Sequence, residues 1–221
     1  MSELIDLAHE IGVYAICGEG NVSMRRDDNS FLIKASGTNL SNLSENDITL
    51  CDMLGNKMNP SHKKPSIETS FHAWIMKTFP QINFIAHTHP PHTNKILCSS
   101  SINDFAEKRL SPDQVVRNGR RSCVVSYACP GEDILKQIKK SVLKFIEKEG
   151  YFPKLILLKN HGIIVAASNK NDCVYATLAC EKSADIFIGA KMLGGISFLS
   201  KKDVSINDNC PNEIYRIDMF Q

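Results

Sequence analysis

Three of the seven histidines in the chain lie close together, in the segment NFIAHTHPPH at positions 83–92. The apolar, β-branched residues before His87 predict a strand over 82–87, and the two prolines after His89 end it. Side chains two apart on a strand point to the same face, so these two imidazoles should project together. Such a pair is half of a zinc or similar divalent-metal site, or else a hydrogen-bonded pair at a strand edge.

A metal site of this kind needs a third ligand from elsewhere in the chain. His161 lies in LLKNHGIIV, between two apolar segments that predict strands, and Gly162 allows a tight turn that would aim the imidazole at a site. His92, beyond the prolines, is interpreted as a helix-start or surface residue rather than a ligand. The other histidines are interpreted as surface or core packing: His9, His62 and His72.

Glu68 lies near the start of a helix that Pro65 is predicted to open and that runs to about Thr78. An acid in the first turn of a helix complements the helix dipole and contributes about a few tenths of a kcal/mol. The pattern alone leaves open whether Glu68 is such an acid or part of a site.

The elements that must position these residues alternate along the chain. Helices are predicted over 3–16, 65–78, 92–98, 132–148 and 171–193. Strands are predicted in GEGNVSMR, FLIK, ITLCDMLGNK, INFIAH, CVVSY, LILLK and GIIVAAS. The polar region 99–121 favours no element. With no glycine-rich nucleotide loop, internal repeat or domain boundary, the alternation indicates one α/β domain over 1–221.

Bulk composition argues against several classes of partner and location. Lys and Arg total 26 against 24 Asp and Glu, a net charge of +2 that is too balanced to suggest nucleic acid or an anionic membrane. The acidic start MSELIDLAHEIGVYA does not resemble a secretory signal, and no stretch approaches the roughly 18 apolar residues that span a bilayer. The eight cysteines form no C-x-x-C pair and are interpreted as reduced thiols of a cytoplasmic protein.

Five motifs in order are more specific than any single residue. GNVS (20–23), SGT (36–38), KPSIETSFH (64–72), HTHPPH (87–92) and NHG (160–162) together resemble the class II aldolase/adducin family. That family includes fuculose-phosphate and rhamnulose-phosphate aldolases, ribulose-phosphate 4-epimerase and methylthioribulose-phosphate dehydratase.

The resemblance implies a fold and an assembly. It covers about residues 4–195 and leaves 196–221 as a loose C-terminal tail. The implied fold is a three-layer α/β/α domain with a mainly antiparallel central sheet. Relatives are usually C4 tetramers with active sites between subunits, so a homotetramer is implied here too.

The resemblance also implies roles for individual residues. His87 and His89 match the family's H-x-H pair and His161 matches its distant histidine, which implies one catalytic Zn²⁺ with an open coordination position. Glu68 matches the acid that ligates the resting metal and then leaves it to act as the base. The positions that match phosphate-binding elements are Gly20, Asn21, Ser36, Gly37 and Ser66.

Two positions depart from the aldolase pattern. Ile67 stands where the fuculose-phosphate aldolases have a second serine, which removes one phosphate contact. Their catalytic tyrosine has no clear match in residues 99–121.

The implied reaction is reversible C3–C4 cleavage of a ketose 1-phosphate into dihydroxyacetone phosphate and a hydroxyaldehyde, through a zinc-stabilised enediolate. A 4-epimerase would have Asp in place of Glu68 and a further acid after the H-x-H pair. A dehydratase would need a second glutamate there, where only Glu107 is available. An adducin-like interaction module would lack the metal ligands that this chain keeps. The expected partner is a small sugar phosphate, with no nucleic acid and no membrane.

Overall fold

The computed structural model describes residues 1–58 and 63–212, so His62 lies outside the described residues. Within this part of the chain one sheet is formed by β1 (Asn21–Asp27), β2 (Ser30–Lys34), β3 (Ile48–Asp52), β4 (Phe84–Thr88), β5 (Cys123–Val125), β6 (Leu155–Leu158) and β7 (Gly162–Ala167). The strand order is β3-β2-β1-β4-β7-β6-β5, and every neighbouring pair is antiparallel except β5 and β6. The sheet is therefore mainly antiparallel.

Helices cover both faces of this sheet. In the described ranges they are α1 (Ser2–Ile11), α2 (Thr69–Thr78), α3 (Pro91–Leu97), α4 (Ile102–Glu107), α5 (Pro112–Asn118), α6 (Glu132–Glu149), α7 (Lys170–Met192) and α8 (Lys201–Asp208). Alternate residues of a strand face opposite sides of the sheet, so Ile163 and Val165 of β7 face one core while Ile164 and Ala166 face the other. The first core is closed by α1, α3, α4 and α7, and the second by α2 and α6. The three-layer α/β/α prediction is confirmed.

The start of α2 differs from the prediction because the preceding residues pair with the sheet. Pro65 forms a β-bridge with Ala35, and the Ser66 N–H donates to the Lys34 carbonyl oxygen at 3.1 Å. The helix consequently begins four residues after Pro65, with Glu68 at its N-cap position. This pairing ties the start of α2 to the end of β2.

Two short helices lie in the region 99–121, where the pattern favours no element. They are α4 and α5, and the Ser111 side chain starts α5 by accepting a hydrogen bond from the Gln114 N–H. The first predicted helix is shorter than expected, since α1 ends at Ile11 and two 3₁₀ turns follow it. Six- and seven-residue helices are too short for a hydrophobic period to stand out.

The C-terminal part is more ordered than the prediction of a loose tail over 196–221. That prediction is wrong for α8, which Ser200 and Asp203 start as a capping box. Residues 213–221 lie outside the described residues, and the assignment of all 221 residues to one domain stays a prediction. None of the helices in the described ranges is both long enough and apolar enough to cross a membrane.

Arg109 holds the segment between α4 and α5 from inside the protein. Its side chain is fully buried, and burial lowers the pKa of Arg109 to about 10, so the guanidinium remains charged at neutral pH. Its hydrogen-bond acceptors are the Ser122 hydroxyl and the carbonyl oxygens of Phe105, Ala106, Lys108 and Gly119. Backbone dipoles, rather than a carboxylate in this set, therefore compensate the buried charge.

Replacing Arg109 with Leu should destabilise the protein by about 3 kcal/mol or more, because several buried carbonyl oxygens lose their donor. Equilibrium urea unfolding measures the change. Arg120→Ala is the matched control, since Arg120 is 44% exposed and its ion pair with Asp208 lies at the surface. Its loss should cost under about 1 kcal/mol. Equal losses for the two variants would contradict the anchoring role of Arg109.

Candidate metal centre and active site

The structure brings together the side chains of His87, His89 and His161. One ring nitrogen of each histidine lies within 4.8 Å of a ring nitrogen of the other two. The ring centroids lie 4.8 Å, 4.9 Å and 5.0 Å apart in edge-to-face contacts. The same-face projection of the H-x-H pair is confirmed, because His87 Nε2 and His89 Nε2 are 3.1 Å apart. His87 is fully buried, and the other two rings are partly exposed.

A sharp turn between β6 and β7 brings His161 close to His87 and His89. Asn160 turns the chain with a left-handed φ of 56°. The next position after His161 has to be glycine, because a Cβ on Gly162 would come within 2.5 Å of the Thr88 carbonyl oxygen. The backbone of β7 can therefore approach the end of β4 closely enough for the three rings to touch.

Hydrogen bonds on the far side of two rings decide which nitrogen faces the cluster. His87 Nδ1 donates to the Ile163 carbonyl oxygen at 2.8 Å, and His89 Nδ1 donates to the Glu19 carboxylate at 2.9 Å. In the neutral rings both Nε2 atoms then carry lone pairs, which face each other across 3.1 Å. Metal-binding histidines are oriented by outer carbonyl and carboxylate groups in this same way.

The Glu68 carboxylate completes the cluster from the start of α2. Glu68 is 5% exposed, its Oε2 lies 3.2 Å from His87 Nε2, and its Oε1 lies 3.7 Å from His161 Nε2. The side chain makes no capping hydrogen bond, and its carboxylate is directed at the histidines instead. Its Oε1 is buried and has no hydrogen-bond partner among the described residues. The catalytic role of Glu68 stays a prediction.

Burial keeps two of these imidazoles neutral. It lowers the pKa of His87 to about 3, with a smaller contribution from His89, and it lowers the pKa of His161 to about 4, with His87 as the next cause. At neutral pH the contacts of Glu68 with these two rings are therefore not ion pairs. A carboxylate oxygen that faces nitrogen lone pairs in a buried site is repelled unless a cation lies between them.

This donor set fits a divalent metal ion. Neutral imidazole nitrogens with one carboxylate oxygen are typical Zn²⁺ ligands, and three fixed histidines leave room for a substrate or water. The unpartnered Glu68 Oε1 and the facing lone pairs of His87 and His89 are features that a cation would satisfy. The three-histidine group that could hold a metal is thus present, and the identity of the metal stays a prediction.

A cavity of about 210 Å³ opens beside the cluster. Its wall comes from the loop before β1, the end of β2 with the loop after it, and the start of α2. The sequence-predicted residues on this wall are Gly20, Asn21, Ser36, Gly37, Ser66, Glu68, His89 and His161. His87 lies behind the wall, fully buried.

Two of the residues expected to bind phosphate already form hydrogen bonds within the protein. The Ser36 N–H donates to the Lys64 carbonyl oxygen at 2.8 Å, and the Ser66 N–H is bonded to the end of β2. The Ser66 hydroxyl accepts a long hydrogen bond, 3.4 Å, from the Glu68 N–H. Their place on the cavity wall agrees with the prediction, and phosphate binding itself stays a prediction.

Asn21 and His72 form a buried connection to Glu68. Asn21 Nδ2 donates to Glu68 Oε2 at 2.9 Å, and Asn21 Oδ1 accepts from His72 Nε2 at 2.5 Å. Both polar ends of the Asn21 side chain take part in this connection, the second N–H of the amide is left over, and phosphate binding by Asn21 stays a prediction. His72 is buried as expected for a packing residue, but the sequence pattern carries no indication of its bond to the site.

Two charged residues of the cavity wall are also absent from the sequence prediction. Lys34 ends β2, is 3% exposed, and donates from Nζ to the Gly18 carbonyl oxygen at 3.1 Å. Burial lowers the pKa of Lys34, against the opposing effect of nearby carboxylates. Glu19 orients His89. In the sequence, a lysine at the end of the apolar strand FLIK is only a weak indication of a functional residue. Nothing in the loop sequence around Glu19 indicates that this residue belongs to the site.

His92 lies outside the cluster, and its interpretation as a helix-start residue is confirmed. It is the second residue of α3, and its Nδ1 lies 2.8 Å from Glu181 Oε1. Glu181 also accepts the N–H groups of His92 and Thr93, each at 2.9 Å. A carboxylate from α7 therefore holds the start of the helix that follows His89.

Comparison with known proteins gives one family and several activities. Residues 7–188 match the sequence profile of the family described as Class II Aldolase and Adducin N-terminal domain. A 3-oxo-tetronate 4-phosphate decarboxylase of Haemophilus influenzae is 30% identical over 175 residues, 79% of this chain and 79% of the relative. A methylthioribulose-1-phosphate dehydratase of Enterobacter sp. is 33% identical over 169 residues, 74% of this chain and 81% of the relative.

A solved structure shows the same fold. An L-fuculose 1-phosphate aldolase superposes with a TM-score of 0.76 at 23% identity, over 94% of this chain and 93% of the aldolase chain.

At this identity the likeness shows the fold alone. The chain therefore belongs to the class II aldolase and adducin N-terminal domain family, as an enzyme of the class II aldolase superfamily.

Proposed function

We propose that the protein is a metal-dependent carbon–carbon lyase that decarboxylates a 3-oxo-tetronate 4-phosphate or a closely related phosphorylated β-keto acid. The observation that carries the proposal is the buried Glu68 carboxylate beside neutral imidazoles, on a cavity wall that also holds the buried ammonium group of Lys34. The 30% identity to the Haemophilus influenzae decarboxylase, over 79% of both proteins, supports this substrate class.

The bonds of such a substrate suit this site. The carboxylate is attached to C2, next to the C3 ketone. When the C1–C2 bond breaks, CO₂ leaves and the electron pair stays behind as an enediolate over C2 and C3. A proton added at C2 then gives dihydroxyacetone phosphate. A divalent metal held by the three histidines would supply positive charge that stabilises the enediolate oxygens.

Glu68 is the group we assign to this proton transfer: its carboxylate takes up a proton from solvent water in the cavity and delivers it to C2. Its Oε1 is buried without a partner among the described residues, while Asn21 fixes its Oε2. Other charged groups of the cavity wall are already engaged, Glu19 with His89 and Lys34 with a backbone carbonyl. One proton-transfer group is sufficient here, because CO₂ leaves without giving up or taking a proton.

Lys34 is the cation we assign to the substrate phosphate. Burial lowers the pKa of Lys34, and a phosphate dianion in the cavity would favour its ammonium form. Ser36, Gly37 and Ser66 line the same wall and are proposed to add hydrogen bonds to the phosphate oxygens.

Retro-aldol cleavage of a ketose 1-phosphate is the second candidate. Breaking its C3–C4 bond leaves the same enediolate of dihydroxyacetone phosphate. That reaction also needs a group that removes the proton of the C4 hydroxyl. Among the described residues no tyrosine lines the cavity. Decarboxylation is preferred as the first candidate because of the 30% identity to the decarboxylase.

The remaining alternatives have less support from the site. Glu107, which a dehydratase would need, is exposed on α4 and is absent from the cavity wall. The aspartate of a 4-epimerase is replaced by Glu68. An adducin-like interaction module does not require a metal site, so the three-histidine group argues against this alternative.

We further propose Zn²⁺ as the metal, with one ion per chain, because the donors are three imidazoles and one carboxylate. A homotetramer is proposed from the family resemblance. A cytoplasmic location is proposed from the cysteines, all eight of which are free thiols.

The reaction is tested with 3-oxo-tetronate 4-phosphate labelled with ¹³C in the carboxyl group. The protein reconstituted with Zn²⁺ should release labelled CO₂ and form dihydroxyacetone phosphate, which a coupled reduction by NADH detects. In D₂O the product should carry one deuteron, placed stereospecifically at the carbon that lost the carboxylate. Removal of the metal with EDTA should abolish turnover.

A panel of ketose 1-phosphates separates the candidates. Faster cleavage of one of these sugars, with no CO₂ release from the keto acid, would move the assignment to the aldolase. Loss of water from a pentulose phosphate would move it to the dehydratase. No conversion of any of these substrates would contradict the proposed function.

Glu68→Gln should lower turnover roughly 100- to 10,000-fold, because the amide cannot transfer the proton. The same substitution should change the free energy of unfolding by only about 1 kcal/mol or less. Steady-state kinetics and urea unfolding measure the two effects. Glu107→Gln is the control, and turnover within about threefold of the parent is expected, since this exposed side chain lies off the cavity wall. An equally active Glu68→Gln protein would refute the assignment.

Lys34→Gln should weaken competitive inhibition by inorganic phosphate about 10- to 100-fold, because a buried charge-assisted hydrogen bond is worth about 1.5–3 kcal/mol. The inhibition constant is measured against the phosphorylated substrate. Lys159→Gln removes an exposed lysine beside the β6–β7 corner and should leave the constant unchanged. An unchanged constant in Lys34→Gln would place the phosphate elsewhere.

A further inference from the structure

A chain of hydrogen bonds runs from the core of the protein to Glu68. The Ser23 hydroxyl lies 2.6 Å from His72 Nδ1, His72 Nε2 lies 2.5 Å from Asn21 Oδ1, and Asn21 Nδ2 donates to Glu68 Oε2 at 2.9 Å. Ser23 and His72 are fully buried, and Asn21 is 2% exposed. We call this set, from Ser23 through His72 and Asn21 to Glu68, the buried relay.

The elements that supply the relay explain why it forms. Asn21 and Ser23 are two apart on β1 and therefore share a face of the sheet. Glu68 and His72 are four apart at the start of α2 and therefore share a face of the helix. The relay alternates between these two elements, so it fixes the position of α2 over β1.

The chemistry of the groups sets the direction of every hydrogen bond. An ionised carboxylate only accepts, so the amide nitrogen of Asn21 must face Glu68 and its oxygen must face His72. His72 must then carry its proton on Nε2, and its Nδ1 accepts from the Ser23 hydroxyl. Burial lowers the pKa of His72 well below its usual value, so the ring stays in this neutral form.

We infer that His72 is a positioning residue for the metal and proton-transfer site and acts through Asn21 on Glu68. The inference rests on the proposed role of Glu68. A neutral donor suits this role, because a lysine or arginine in its place would cancel the charge of the carboxylate. With Oε2 held by Asn21, the carboxylate keeps Oε1 directed toward the histidines.

The variants that test this inference keep or remove the donor of His72. His72→Leu leaves Asn21 Oδ1 without its donor, whereas His72→Gln can still donate an N–H at this point. Thr177→Val is the control for a lost buried hydrogen bond, because Thr177 is fully buried and its hydroxyl donates to the Cys173 carbonyl oxygen at 2.9 Å on α7.

The measurement is Co²⁺ affinity, followed by visible absorption, so that no substrate is needed. His72→Leu should weaken binding about 10- to 100-fold, as is typical when an outer group behind a metal ligand is lost. His72→Gln should retain affinity within about threefold, and Thr177→Val should bind as the parent does. Should His72→Leu fail to fold, Asn21→Ala removes the donor to Glu68 directly and should give the same loss.

A double-mutant cycle with Glu68→Gln decides whether His72 acts through Glu68. In the Glu68→Gln background, His72→Leu should change Co²⁺ affinity less than about twofold. If His72→Leu weakens Co²⁺ binding as much in the Glu68→Gln background as in the parent, the inference is overturned. It is also overturned if His72→Leu weakens phosphate inhibition but leaves Co²⁺ affinity unchanged. If Glu68→Gln alone leaves the affinity unchanged, the ligand role of Glu68 fails, and the inference fails with it. A failure to turn over the keto acid, with the cycle as expected, would contradict only the proposed reaction.

Discussion

The pairing of β4 with β7 at the centre of the sheet is the constraint on which the site depends. The two strands run antiparallel with His87 opposite Ile164 and Thr88 opposite Ile163, which brings the end of one strand beside the start of the other. A slip of one residue would turn His87 to the opposite face, away from Glu68. The same slip would exchange the apolar residues that feed the two cores, so the packing of the whole sheet enforces the geometry of the site.

Burial behind this sheet decides the charge of the site. The low pKa values of His87 and His161 leave both rings neutral at neutral pH. Neutral rings preserve the full charge of a bound cation, whereas several carboxylates would cancel it. Glu68 contributes one negative charge, and Asn21 holds it by a neutral hydrogen bond. The arrangement keeps positive charge available for the enediolate oxygens of the proposed reaction.

Much of this arrangement could be predicted from local patterns. The two-residue spacing of His87 and His89 follows from strand geometry, and the long helices α6 and α7 follow from sustained periodicity. Contacts between distant residues could not be predicted in this way. The β-bridge of Pro65 shifts the start of α2. The hydrogen bonds of Arg109 to carbonyl groups cannot be predicted from the hydrophobic pattern of the sequence. His72 could be predicted as buried but not as bonded, because its partners come from β1.

Buried polar groups in this protein differ in whether their hydrogen bonds are complete. Arg109 is surrounded by acceptors, and Glu181 accepts several donors at the start of α3, so both stabilise the local structure. Glu68 is bonded through Oε2 only, and its buried Oε1 has no partner among the described residues. An unsatisfied buried carboxylate oxygen is unfavourable unless the surrounding structure holds it in place. The sheet pairing and the buried relay provide that support, and they leave one oxygen of Glu68 available for a cation or a proton.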